Sequence, residues 1–109
     1  MAYDEKLAGR LRKALRGAGT VSEKKMFGGI AFMLNGNMCC GVINDLLMAR
    51  VGPGAYSGAL ERPHARPMDF TKRPMKGYVY VEPGGLGSEE ELQEWVSMCV
   101  EFVRTLPEK

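Results

Sequence analysis

The sequence predicts an α+β domain, an antiparallel meander sheet flanked by an N-terminal and a C-terminal helix. Three observations carry that prediction. The two ends hold apolar residues at helical spacing, Leu7, Leu11 and Leu15 near the start and Leu92, Trp95, Val96, Cys99 and Val103 near the finish. The middle alternates with period two and is broken by Asn35-Gly36, a strong hairpin signal because both turn positions tolerate φ > 0. Gly-Pro clusters at residues 52–54 and 83–85 end strand runs.

Each element follows in order. Asp4 to Arg16 predicts a helix with Asp4 as N-cap and Gly17 as its stop. Glu23 to Phe27 predicts a strand, bent or bulged at Gly28-Gly29. Ile30 to Leu34, Met38 to Ile43 and Leu46 to Val51 predict the next three strands, with a turn at Asn44-Asp45. Ala55 to Glu61 predicts a short helix weakened by Gly58, and Arg62 to Pro67 a segment that is either extended or looped. Lys76 to Glu82 predicts a strand, with Tyr78 and Tyr80 on one face and Val79 and Val81 on the other. Ser88 and Glu91 make a capping box that opens a helix over residues 89–106. With 109 residues the chain suits one domain, spanning 1–109.

The composition narrows the function. Apolar residues are 45% and charged residues 26%, which is globular rather than disordered. The net charge is +2 and the pI about 8.5, short of the strongly basic balance of a nucleic-acid module. The charge is polarised, however. Residues 1–30 hold seven Lys or Arg against Asp4, Glu5 and Glu23, a net +4, and residues 88–109 hold six Glu against Arg104 and Lys109, a net −4. The ends are therefore complementary: they form either two solvated helix faces or a basic docking surface on the first helix.

Enzymatic sites are poorly supplied. The one His, His64, sits between Pro63 and Arg66 with no acid within two residues to orient it, and reads as an exposed loop residue. Lys25-Met26-Phe27-Gly28-Gly29 lacks the spacing of a phosphate loop and leads into a strand, so its glycines read as a backbone bend. Cys39, Cys40 and Cys99 have no usual metal spacing and make no disulfide framework. Adjacent strand residues face opposite sides, so Cys39 and Cys40 are expected apart, and all three thiols reduced and mostly buried in a cytoplasmic protein. No cofactor, metal or membrane span is expected. The eight methionines include Met33, Met38 and Met48 on strands. They either fill the core or let a partner, a second copy of the chain included, cover the second sheet face.

With these residues in view, the chain resembles the TfoX N-terminal domain family, found in TfoX/Sxy regulators of natural competence. The matching stretches are Lys24 to Phe32 (KKMFGGIAF), Asn35 to Met38, and Leu46 to Val51. Arg66 to Phe70, Pro74 to Tyr78, and the closing helix around Leu92 and Trp95 follow in order. The resemblance implies a curved antiparallel sheet with flanking helices, similar to secretion-chaperone-like folds. It also implies a non-enzymatic co-regulator working with a cyclic-AMP-receptor-type transcription factor. Relatives carry a second, helical C-terminal domain; the sequence stops at Lys109 without one, so a stand-alone domain is expected.

The functional expectation is a regulatory or protein-interaction domain, docking a transcription factor or an RNA polymerase component through Arg10, Lys13 and Arg16 with Lys24 and Lys25. The alternatives are direct nucleic-acid binding through the same basic helix, and a small-ligand or enzymatic site near Gly28, Tyr78 and Trp95.

Overall fold

The first helix, α1, spans Glu5–Ala14 and starts where the sequence places its cap: the Asp4 carboxylate accepts from the Lys6 and Leu7 amides at 2.9 and 3.2 Å. These bonds satisfy donors that the first helical turn leaves free. The computed structural model describes residues 3–26, 28–67 and 77–107, with the backbone alone for Met26. Phe27 and residues 68–76 lie outside the described residues, and with them part of the Lys24-to-Phe32, Arg66-to-Phe70 and Pro74-to-Tyr78 stretches.

Among the described residues, six strands follow in one antiparallel sheet: β1 (Val21–Met26), β2 (Gly29–Leu34), β3 (Asn37–Ile43), β4 (Leu46–Arg50), β5 (Ala65–Pro67) and β6 (Tyr78–Val81). Their spatial order is β1-β2-β3-β4-β6-β5. The meander over β1 to β4 is local, as the turn signals require. Asn35 and Gly36 sit at φ 53° and 84°, which closes the β2–β3 hairpin in two residues. The segment expected as extended or looped over Arg62 to Pro67 supplies β5, a three-residue edge strand paired to β6. Pro67 suits that edge because proline offers no ladder donor. Between β4 and β5 runs the short helix α2 (Tyr56–Leu60). A single 3-10 turn, Pro83–Gly85, leads from β6 to the last helix, α3 (Glu89–Val103). Its capping box forms as predicted: the Glu91 amide donates to Ser88 Oγ at 3.1 Å, and the Ser88 amide to Glu91 Oε1 at 3.2 Å.

Period two decides the faces. Ile30, Phe32, Leu34, Leu47, Ala49, Val51, Val79 and Val81 point to the side covered by α1 and α3 and form the main core with Leu11, Leu92, Trp95 and Val96. Met48, Tyr78 and Tyr80 belong to the opposite face, with Met38, Ile43 and Leu46 around them. Met48 is wholly buried within this one chain, whereas Met33 and Met38 are half-buried.

One expectation about β3 is overturned. Cys39 and Cys40 do not straddle the sheet; both are buried in the helix-side core. The β2–β3 register shifts between Phe32 and Met33, so Cys40 opposes Phe32 and Met38 opposes Met33. Cys39 is the extra residue of a bulge, and a bulge breaks the alternation that would have sent it to the other face.

Candidate functional site

On the helix layer, expected site residues meet a concave feature. α1 and α3 lie side by side over the sheet. Arg10 Nε donates to Glu89 Oε1 at 2.9 Å, and its Nη2 to the Ser88 carbonyl at 3.2 Å. At the other end, Arg104 Nη2 donates to the Ala18 carbonyl at 2.8 Å. The start of α3 thus lies beside the middle of α1, and its end beside the segment that follows α1. The two helices run in the same sense.

A groove separates them. One part, about 430 Å³, is lined by Lys13, Ala14, Glu89, Glu90 and Gln93. The other, about 340 Å³, continues from Ala14 and Gln93 past Arg16, Gly17, Ala18, Val96, Val100 and Glu101. Its floor is made of small or aliphatic side chains, Ala14, Ala18, Val96 and Val100. Its walls differ in charge, with Lys13 and Arg16 on the α1 side and Glu90, Glu101 and, at the far end, Arg104 on the α3 side. These five charged side chains are exposed, and none forms an ion pair among the described residues.

The five residues expected as one basic surface are divided by the fold. Lys13 and Arg16 line the groove. Arg10 is taken up by Glu89 and Ser88 and fixes the helix pair instead. Lys24 opposes Ala31 in the β1–β2 ladder and Lys25 opposes Ile30, so the two lysines sit on opposite faces of β1. β1 is a sheet edge, and exposed lysines there hinder another strand from adding. Arg12, beside Lys13, makes a two-pronged pair with Glu23 of β1 at 2.6 and 2.8 Å. That guanidinium holds the Glu23 carboxyl below its usual range. Both partners are well exposed, so the pair contributes at most about 1 kcal/mol.

Sequence reasoning missed the acidic wall. Its signal was the net −4 of residues 88–109, which acquires meaning only when α3 lies next to α1. On the far flank of α3, Arg62 stacks over Trp95 at 5.1 Å and pairs with Glu94. These contacts line a second hollow of about 500 Å³ with Met98 and Glu101.

The small-ligand site expected near Gly28, Tyr78 and Trp95 is not assembled. Trp95 packs in the helix-side core, and Tyr78 belongs to the opposite face. Gly28 closes the β1–β2 hairpin at the edge of the sheet, and the sheet itself separates the three. His64 is an exposed loop residue, as expected, at φ 68°, with its ring over Gly84. Among the described residues, no group of three or more His, Cys, Asp or Glu is placed to hold a metal, and no helix is long and apolar enough to cross a membrane.

The three thiols form a buried titratable cluster. Cys39, Cys40 and Cys99 are fully buried. Donation to Cys39, followed by burial, pushes the Cys40 thiol well above its usual 9.0. Burial, and after it the nearby Cys39, does the same for Cys99 against an opposing backbone hydrogen bond from Arg50. Both therefore stay protonated at neutral pH. Their stabilising effect is complete below the ordinary thiol range and is lost as pH rises above about 9.0, where the unfolded chain releases protons that the folded chain keeps. Iodoacetamide at pH 8 is expected to leave Cys40 and Cys99 unmodified until denaturant is added. Rapid labelling of either in the folded protein would contradict this burial.

A mixed-sign helix layer over an open antiparallel sheet defines an α+β domain. The TfoX N-terminal domain model matches residues 13–103 of the chain. The chain belongs to the TfoX N-terminal domain family. A search of curated proteins returned no match.

Proposed function

We propose that this chain is a TfoX-type regulatory domain that acts in the cytoplasm, without catalysis, by binding another protein through its helix layer. Family membership supports a competence-related regulatory role. The observation that carries the docking face is the groove between α1 and α3, where Lys13 and Arg16 stand exposed along a floor of small apolar side chains. A groove of this kind suits an amphipathic helix, its apolar face on the floor and an acidic flank toward Lys13 and Arg16. A transcription factor or an RNA polymerase component that presents such a helix is the partner this reading expects. Lys24 and Lys25 protect the sheet edge and lie outside the docking face.

The test compares wild type with a Lys13→Glu/Arg16→Glu variant, each immobilised against lysate with and without nuclease and read by mass spectrometry. Both positions are exposed, so stability should change by no more than about 0.5 kcal/mol. A transcription regulator or polymerase subunit retained by wild type and weakened about tenfold by the variant supports the reading. Equal retention by both proteins refutes it. Retention that vanishes with nuclease transfers the function to nucleic-acid binding.

A further inference from the structure

We propose that the outer edge of β1 takes up a strand from another protein, an extended segment with two adjacent acidic residues placed opposite Lys24 and Lys25. β1 is an edge of the sheet and pairs on one side only, to β2. Its ladder runs without a break from Val21 opposite Leu34 to Met26 opposite Gly29. The Asn35 amide donates to the Thr20 carbonyl at 2.8 Å, which fixes the phase of the bonding. Bonded and non-bonded pairs alternate along an antiparallel ladder. Thr20, Ser22, Lys24 and Met26 therefore bond to β2, whereas Val21, Glu23 and Lys25 turn their N–H and C=O groups outward. These outward groups have no partner among the described residues, and residues 22–25 are exposed. Such a row is a template for another strand. The opposite edge offers less, since β5 has three residues and ends in Pro67.

The charges choose the guest. Directly opposed residues of an antiparallel pair share a face, where opposite charges attract and like charges repel. The hindrance that the two lysines set up acts through charge, so it is selective. It rejects a second copy of the chain. A two-fold axis at this edge keeps each face on its own side, so it passes through one residue and sets that residue against its own copy. Centred on Glu23, Lys24 or Lys25, the pairing lays like charge on like. Centred elsewhere in β1, it overlaps at most three of the six residues. An acidic strand fits instead. In the antiparallel sense one of its carboxylates lies opposite Lys25 on the helix side, and the next lies opposite Lys24 on the far side, because adjacent residues of both strands alternate together. Neither lysine forms an ion pair among the described residues. Glu23 is already engaged by Arg12, so the guest needs no cation opposite it. Opposite Ser22 and the half-buried Val21, β-branched residues suit a strand. Backbone bonds supply the affinity and the lysines the selection. The edge shares no residue with the groove between α1 and α3.

Two end-capped peptides test the proposal, Thr-Glu-Glu-Thr-Thr-Ile and Thr-Lys-Lys-Thr-Thr-Ile, each titrated into the isotope-labelled protein. At low salt the acidic peptide is expected to bind about tenfold more tightly than the lysine peptide, and to lose most of that preference in about 1 M salt. With the acidic peptide near saturation, hydrogen exchange read by NMR should slow about tenfold or more at the Val21, Glu23 and Lys25 amides, which the unbound edge leaves open to water. A Lys24→Glu/Lys25→Glu variant should reverse the order and take the lysine peptide. Both positions are exposed, and circular dichroism checks that the variant is folded. Equal binding of the two peptides by wild type overturns the proposal, as does no binding of the acidic peptide at about 1 mM. Binding that leaves the three amides unprotected also overturns it, because charge contact alone adds no strand. So does a double variant that keeps the wild-type preference. The lysate comparison above rests on Lys13 and Arg16 and on neither of these lysines, so the two results are independent.

Discussion

Gly29→Ala is expected to lower stability by about 3 kcal/mol or more, a large share of the roughly 5–15 kcal/mol that holds a domain of this size folded. A Cβ on Gly29 would fall on the Val42 carbonyl and within 3.1 Å of Ile43 Cα, both backbone atoms of the neighbouring strand β3. No rotamer change relieves a clash with backbone; β2 or β3 has to move, and each is paired on both sides. Gly28, its neighbour, is glycine for another reason. It sits at φ 76° with open space where a Cβ would be. Gly28→Asn should therefore cost less than about 1 kcal/mol, because Asn tolerates the left-handed region. Urea denaturation of the two variants separates the explanations. A Gly29→Ala protein as stable as wild type would show that β2 and β3 do not approach as closely as described.

Phe32→Ala should cost about 3–5 kcal/mol, and Phe32→Leu distinctly less. Phe32 has no exposed surface and lies in β2 beneath the helix layer, opposite Cys40 and Glu23 in the two flanking strands. The Arg12 guanidinium stands 5.9 Å from its ring centroid. Removing the ring leaves a void that neither the sheet nor α1 can close, and it also strips the apolar platform beneath Arg12. The urea midpoint should fall while the slope stays near that of wild type, as for a loss of packing without a change in exposed area. A loss under about 1 kcal/mol would mean that the core relaxes into the void, contrary to the close packing of this face.

Much of the fold was legible in the residues. Asp4 and Ser88 mark both helix starts, Asn35-Gly36 marks the hairpin, and the Tyr-Val alternation of β6 separates its two faces, because these signals act within a few residues of chain. Cys39 was not legible. Its face depends on a bulge that arises from how β3 is pinned against β2, which local alternation does not report. β5 was legible only in part: Ala65–Pro67 could be read as extended or looped, and its pairing depends on the edge that β6 offers.

The candidate site divides in the same way. Sequence by itself determined that the first helix is basic, that the last is acidic, and that both carry an apolar stripe, since charge and period are properties of the chain. It also joined Arg10, Lys13, Arg16, Lys24 and Lys25 into one surface on the ground of charge alone. Only the tertiary structure decided which of those charges remain available. Glu89 and Glu23 take up Arg10 and Arg12, and the pleat of β1 sends Lys24 and Lys25 to opposite faces. What remains is Lys13 and Arg16 facing Glu90 and Glu101 across a groove. The physical reason is distance: residues some 80 positions apart become neighbours only when two helices must share one sheet face to bury their apolar stripes.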